Sequence, residues 1–425
     1  MSPPPDFVAA VLRPLLAGGL CLAACAVQGQ DDLIDRLDDQ LSFGGWNDAV
    51  RVRVSGDLDL EGYYVTQPEP ALISEEGNAF FNPRLSLFVD AQLGACLYGF
   101  VQVRADDGFD PGEGGPPVRL DEYVLRYSPL GNGDVNIQAG KFATVVGNWT
   151  LRHGSWDNPF ITAPLPYENL TGIWDTTAAR SAGELMYWAG VRPLPAGGGS
   201  FPDQYRNVPV IWGPSYGSGA SVFGNVGVLD YAFEVKNTSL SSRPETWAPT
   251  ETRWQNPAFN GRLGDLPSES WNLGVSASVG SYLQPEAAPT LLPGYGLGRY
   301  REIVLGQDAS YAWHHTQIWA EAYEARFEIP GVGNADTAAY YLEARYKFTP
   351  QLFGALRWNQ QLFSELPLAG GGSARWSRNV WRADLGPGYR PTPHTQVKLQ
   401  YSLERQDADT GSWSGLASVQ LSVRF

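Results

Sequence analysis

The segment Arg152-His153-Gly154-Ser155-Trp156-Asp157 sets a base, a hydroxyl and a carboxylate within six residues, the side-chain types of a nucleophile relay. Such a relay needs its groups to converge from separate parts of a fold, with the base in hydrogen-bond reach of the nucleophile. Residues two apart in one polar loop do not supply that geometry, so the reading is non-enzymatic. His314-His315 have no Asp, Glu or Cys at ligand spacing and read as a polar turn, not a metal centre. Beyond the leader the only thiol is Cys96, so neither an internal disulfide nor a cysteine metal framework can form. Nothing calls for a cofactor.

The charged residues carry more information, because they recur at every second position. Arg51, Arg53, Asp57, Asp59 and Glu61 alternate with Val50, Val52, Val54, Leu58 and Leu60, and Arg84 and Asp90 alternate with Leu85, Leu87 and Val89. Gln102 and Arg104 do so with Val101 and Val103. Period two is a β-strand with one apolar and one polar face. The chain ends in the same manner: Val397, Leu399, Tyr401 and Leu403, then Ala417, Val419, Leu421, Val423 and Phe425, each alternate with polar residues. Half-buried antiparallel strands of soluble sandwiches alternate too. Strands of ten or more residues in succession are instead what a tilted crossing of a bilayer requires, ~9–11 residues each.

Sixteen such strands are predicted, from Val50 to Phe425. Tight turns near Gly94, Gly131, Asn225, Asp265, His314, Pro350 and Pro391 fall on one side with both termini, and the longer connections fall on the other. A strand near Pro257 is weakly patterned, and Leu185–Val191 could be a further strand. Closure into a barrel follows because an open sheet edge cannot face lipid. The key expectation is that Val52, Leu87, Val275 and Leu421 face hydrocarbon while the charged half of each strand meets water. Residues 143–215 break the rhythm, being rich in Pro, Gly and Trp. A connection of that length is functional or disordered, and Trp149, Trp156, Phe160, Tyr167, Trp174 and Trp212 need packing partners, which disfavours disorder. Aromatic girdles are expected from Phe80, Phe81, Tyr98, Tyr127, Trp313, Trp358 and Trp381.

Residues 1–29, with Arg13 before an apolar run from Leu15 to Val27, read as a secretory signal peptide cleaved before Gln30. Leu22-Ala23-Ala24-Cys25 offers a rival parse, a lipobox with a lipid on Cys25. Residues 30–49 read as a short periplasmic segment whose amphipathic helix, Asp31 to Trp46, is too short for a trimerising coiled coil. The chain of 425 residues carries 45 acidic against 30 basic residues and a net charge of −15, which argues against nucleic acid as a partner. A mean hydropathy of −0.24 excludes a helical membrane bundle and leaves a barrel open, since strands hide their apolar residues at alternate positions.

With these strands, the long fifth-to-sixth connection and a terminal Phe425, the chain resembles a bacterial outer-membrane porin of the sixteen-stranded type. Segments 119–142 (RLDEYVLRYSPLGNGDVNIQAGKF) and 388–402 (GYRPTPHTQVKLQYS) are similar to the phosphate-selective porin O and P group. The chain departs from that group in having only four lysines, Lys141, Lys236, Lys347 and Lys398, so phosphate is not carried over. The resemblance implies an all-β transmembrane antiparallel up-and-down barrel whose third outer loop, residues 143–215, folds inward as a constriction. It also implies an outer-membrane location, passive diffusion of small hydrophilic solutes, a homotrimer, contact with outer-membrane lipid, and recognition of Phe425 by the barrel assembly machinery. The alternative function is a structural or partner-binding barrel without open transport. In a narrow pore, opposed arginines and carboxylates set up a transverse field that screens solutes. The candidate pore-lining and constriction residues are Arg51, Arg53, Arg84, Arg104, Arg345 and Arg357 on the wall and Asp157, Glu168 and Asp175 on the loop, with Arg51, Arg53, Arg84 and Arg104 expected to pair with the three loop carboxylates.

Overall fold

The computed structural model describes residues 34, 36, 40–45, 49–66, 77–106, 118–192, 206–243, 254–407 and 413–425. The leader and Cys25 lie outside them. Sixteen strands form the ring: β1 (Val50–Val65), β2 (Ala79–Leu93), β3 (Leu97–Ala105), β4 (Val118–Tyr127), β5 (Asn136–Phe142), β6 (Gly217–Val226), β7 (Leu229–Lys236) and β8 (Ala258–Ser268) make up one half. The other half is β9 (Trp271–Ser281), β10 (Arg301–Trp313), β11 (Thr316–Ile329), β12 (Gly333–Lys347), β13 (Leu352–Phe363), β14 (Val380–Thr392), β15 (Thr395–Gln406) and β16 (Trp413–Arg424). Each pairs antiparallel with its sequence neighbours, and β16 closes on β1 from Leu416↔Val65 to Arg424↔Asp57. Phe425 completes the seam by exchanging backbone hydrogen bonds with Gly56, 3.0 Å and 2.9 Å.

The short turns and the long connections segregate to opposite ends, as the pattern requires. Gly94 and Gly227 take φ of 65° and 63°, and His314 takes 50°, the left-handed backbone of tight hairpin turns. Two turns sit slightly later than expected: β8 runs through Asp265 to Ser268, and β14 through Pro391 to Thr392. The connection after β11, residues 330–332, is the exception among the long ones. Its Gly331 has φ 73°.

Burial is inverted relative to a protein that folds in water. Leu356 is 62% exposed and Val275 55%, with Leu87, Leu305 and Leu342 also exposed, and Val52 and Leu421 half-buried on the same outer face. Facing inward, Glu343 and Asn359 are 0% exposed, and Arg357, Arg382, Asp384 and Lys398 are buried. An apolar exterior of that extent does not persist against water, whereas in lipid it carries no penalty and the ring closed by β16 on β1 leaves no open sheet edge.

Several local expectations change. The amphipathic helix does not reach Trp46: Ile34, Arg36 and Gln40 are helical, but Ser42–Gly45 is a four-residue strand lying along the start of β1, Ser42↔Arg53 to Gly45↔Val50. The projecting edge of β1 below the end of β16 offers backbone partners that outweigh a weak helical tail. Within Leu185–Val191 there is no strand. Ala182–Trp188 is a helix, α1, capped by the Ser181 hydroxyl, which accepts from Glu184 N at 3.2 Å. Of the girdle residues, Phe81, Tyr127, Trp313 and Trp358 are exposed, and Trp358 stacks on Trp381 at 5.1 Å. Phe80 and Tyr98 instead face inward, because they share parity with Arg84 and Arg104 on their own strands.

Candidate functional site

The described residues of the connection between β5 and β6, 143–192 and 206–216, are folded. Thr144 N donates to Pro214 O at 2.9 Å and closes its neck, where the buried Lys236 ammonium donates to Phe142 O (2.7 Å) and Ser215 O (3.2 Å). Trp149, Tyr167, Trp174, Trp188 and Trp212 are buried together with Tyr282, Phe327 and Trp376 from the barrel's outer end, and Trp174 stacks on Trp188 at 4.1 Å. The aromatic residues that argued against disorder have found their partners here. Gly147, φ 78°, passes so close to the Tyr167 and Tyr323 hydroxyls that no side chain fits.

One side of this segment lies against the inner face of β11 to β15, and polar side chains there hold its backbone. Glu321 accepts from Asn148 N (2.7 Å) and Trp149 N (2.6 Å). Arg357 donates to Thr162 O at 3.1 Å and pairs with Asp384 at 2.7 Å. The Lys398 ammonium donates to three carbonyls, Ser155 (2.7 Å), Asn158 (3.0 Å) and Phe160 (3.1 Å). Gln400 Oε1 accepts from Ile161 N and Thr162 N. From the segment itself, Arg152 pairs with Glu343 at 2.6 Å, and Glu168 pairs with Arg382, which also donates to Ala163 O at 2.5 Å. Burial pushes the Glu168 carboxyl above the usual range, with Arg382 opposing it. The charged side chains named in this layer are buried and each has at least one partner, so the layer acts as a clamp.

The other side of the segment faces a cavity of about 630 Å³ bounded by β1 to β4. On that wall Arg84 pairs with Asp59 (3.0 Å) and Glu61 (2.6 Å), Arg104 with Asp106 (2.6 Å), and Arg119 with Asp106 (2.5 Å) and Asp121 (3.0 Å). The Ser155 hydroxyl donates to Asp59 at 2.6 Å. His153 Nδ1 lies 2.6 Å from Thr150 O, so that nitrogen carries the proton, and Nε2, 2.9 Å from the Tyr216 hydroxyl, accepts. Burial lowers the His153 pKa, and the nearby Arg104 and Arg84 lower it further against the Thr150 hydrogen bond and Asp121. Ser155 and His153 thus bond to different partners, and the relay suggested by the sequence is not assembled.

The expected pairing of wall arginines with loop carboxylates is corrected. In the sheet register Asp59 lies directly opposite Arg84, and a carboxylate one strand away outcompetes one across the lumen. Arg51 and Arg53 are exposed near the short-turn end, opposite Gln92 and Asp90; of the two, Arg53 borders the cavity. Arg84 and Arg104 border it also. Arg345 donates to Gln317 at 3.0 Å, and Arg357 is buried under the segment. Asp157 is exposed at the cavity. Glu168 belongs to the clamp, and Asp175, whose carbonyl accepts from Gln284 N at 2.8 Å, is buried against the connection after β9. Sequence reasoning missed Arg382, Asp384, Arg119 and Asp121. The first two share a parity that Trp381, Ala383 and Leu385 reveal; the last two sit beside a register shift at Gln102/Val103 that parity cannot anticipate.

Comparison with solved structures returns outer-membrane barrels. The chain is similar to OmpF of Salmonella typhi (TM-score 0.54, 13% identity, 90% of this chain and 100% of that one). It is likewise similar to an anion-selective porin from Comamonas acidovorans (0.53, 12%, 88% and 100%) and to the outer membrane channel DcaP of Acinetobacter baumannii (0.54, 10%, 90% and 99%). At such identities the likeness is one of fold, a closed antiparallel barrel of sixteen strands. No protein-family model and no curated protein matches the sequence.

Proposed function

We propose that the chain is an outer-membrane porin that lets small hydrophilic solutes diffuse passively through a water-filled pore, narrowed by residues 143–215 folding into the lumen. The observation that carries this reading is the inverted burial: ionised side chains inside a closed ring, leucines and valines exposed outside it. The cavity of about 630 Å³ beside β1 to β4 supports the placement of the free path on that side. Export by a cleaved leader, insertion guided by Phe425 and assembly as a trimer complete the reading. Phosphate is not proposed as the solute, since Lys141, Lys236 and Lys398 donate to backbone carbonyls and form no anion cluster.

Reconstitution of the purified protein in a planar bilayer tests the proposal. Stepwise, long-lived increments of ion current are expected. A barrel that migrates heat-modifiably in gels, inserts into the bilayer and passes no current would overturn it.

A further inference from the structure

The β1 to β3 wall of the cavity carries aromatic rings among its ion pairs, an unusual lining for a path whose only task is to pass water and salt. Near the end with the long connections Tyr63 and Phe80, opposite each other in register, stack at 4.7 Å with their planes 13° apart. Phe88 and Phe100 lie 6.2 Å apart at 19° toward the other end. Arg84 stands between, four residues from Phe80 and four from Phe88, so the two ring pairs are separated by about 26 Å of strand with an ionic rung midway, at ~3.3 Å per residue. All five side chains border the cavity, and on the facing segment Leu151, 77% exposed, borders it too.

The polar atoms of this wall are arranged in a specific sense. Glu61, an acceptor only when ionised, receives the side-chain amides of Asn82 (3.5 Å) and Gln420 (2.6 Å). Both amide groups are therefore turned with nitrogen toward Glu61 and oxygen away from it. Asn82 Oδ1 and Gln420 Oε1 are buried acceptors with no partner, on residues that border the cavity and are 7% and 1% exposed. They require O–H or N–H donors.

Charge narrows the choice. Each arginine of the rung is neutralised by carboxylates lying behind it: Arg84 and Arg104 are 17% and 16% exposed, whereas Asp59, Glu61 and Asp106 are at most 1%. At the rung a solute therefore meets guanidinium donors backed by carboxylates, a face with hydrogen-bond donors and no uncompensated positive charge that would hold an anion. A partner offering hydroxyl donors, hydroxyl acceptors and a flat C–H face satisfies the amide oxygens, the guanidiniums and the rings together.

We propose that this wall is a binding track for a neutral cyclic polyol, a sugar or short oligosaccharide, whose ring faces lie on Tyr63/Phe80 and Phe88/Phe100 and whose hydroxyls donate to Asn82 and Gln420 and accept from Arg84. The inference rests on the channel reading and names its solute class. Maltotriose or raffinose added to one side of a bilayer holding the full-length protein is expected to interrupt the ion current in a concentration-dependent manner, with polyethylene glycol of matching mass causing no more than proportional reduction. Asn82→Ala and Phe88→Leu, checked for folding by heat-modifiable migration, are each expected to weaken the block about fivefold, the loss for one hydrogen bond or one ring contact. Sugars that act no better than the polymer on a conducting channel overturn the track and leave the channel standing, as do folded variants that block like the native protein. A protein that passes no ions overturns the channel reading, and calorimetric titration of maltotriose into the detergent-solubilised barrel then decides the track alone: heat of binding is expected, and its absence overturns it.

Discussion

The two walls of the lumen obey one sequence rule and reach opposite ends. Along β11 to β15 the inward side chains Glu321, Arg357, Arg382, Lys398 and Gln400 are buried by the long connection and bond to its backbone, and Glu343 holds its Arg152 side chain. Along β1 to β4 the inward Arg84 and Arg104 remain partly exposed beside a cavity. What differs is the covering, not the alternation. A buried charge costs several kcal/mol when left alone, so the covered wall must be fully paired. On the uncovered wall Arg84 and Arg104 stay in part open to water, while their carboxylates lie buried behind them.

The sharpest break of this contrast is expected at Arg382. Arg382→Ala strips Glu168 of its ion pair and leaves a buried carboxylate, at a cost of about 3–5 kcal/mol to the seating of residues 143–216. Faster proteolysis within that segment and a noisier, larger single-channel current are the expected readouts; a quiet channel of native size would show that the segment is not held by this wall. Next in size is Lys398→Met. Three carbonyls, those of Ser155, Asn158 and Phe160, lose a charged donor, with an expected loss of roughly 3 kcal/mol read as a lower midpoint of thermal unfolding in detergent.

How much of this was readable beforehand follows from the same physics. The strands were legible because burial against lipid imposes a period of two, which the segments from Val50 to Phe425 carry, the one near Pro257 only weakly. For residues 143–215 the residues themselves showed only aromatic side chains in need of company, and the inward fold was expected from the porin resemblance alone. Their partners, such as Tyr282, Phe327 and Trp376, are distant in sequence, and α1 is too short to declare itself by periodicity. Partner choice was the least legible feature. Arg84 borders the cavity, on the face its parity indicated, but its pairing with Asp59 depends on the β1–β2 register, which parity leaves free by two-residue steps. Phe80 and Tyr98 were placed outward from residue type, where parity alone would have turned them in.

Smaller effects test the uncovered wall. Arg84→Gln leaves Asp59 its hydrogen bonds from Ser155 and Ser422 and leaves Glu61 those from Tyr63, Asn82 and Gln420. A stability loss smaller than that of Arg382→Ala is expected, because both buried carboxylates keep those donors, with a reversal potential shifted toward cations. Arg357→Gln should do the reverse, costing more stability and moving selectivity less, and equal behaviour of the two variants would erase the distinction between the walls.

The smallest expected effect is on pH, at the seam where the segment meets the uncovered wall. His153 is held neutral by burial, and Arg104 and Arg84 press in the same direction against Asp121. Its folded pKa lies below the unfolded value of about 6.5, so the folded state binds fewer protons there. The stability it contributes is present above that value and is lost as pH falls below it. Protonation would also give Nε2 a hydrogen, turning its acceptance from the Tyr216 hydroxyl into a clash of donors unless the hydroxyl rotates. Acidification below about pH 6.5 should therefore loosen the segment around Thr150 and Ser155 and raise current noise, and His153→Gln, which can still donate to Thr150 O and accept from Tyr216, should flatten that dependence. A native pH profile in the variant would assign the titration elsewhere, to the acidic groups of the uncovered wall.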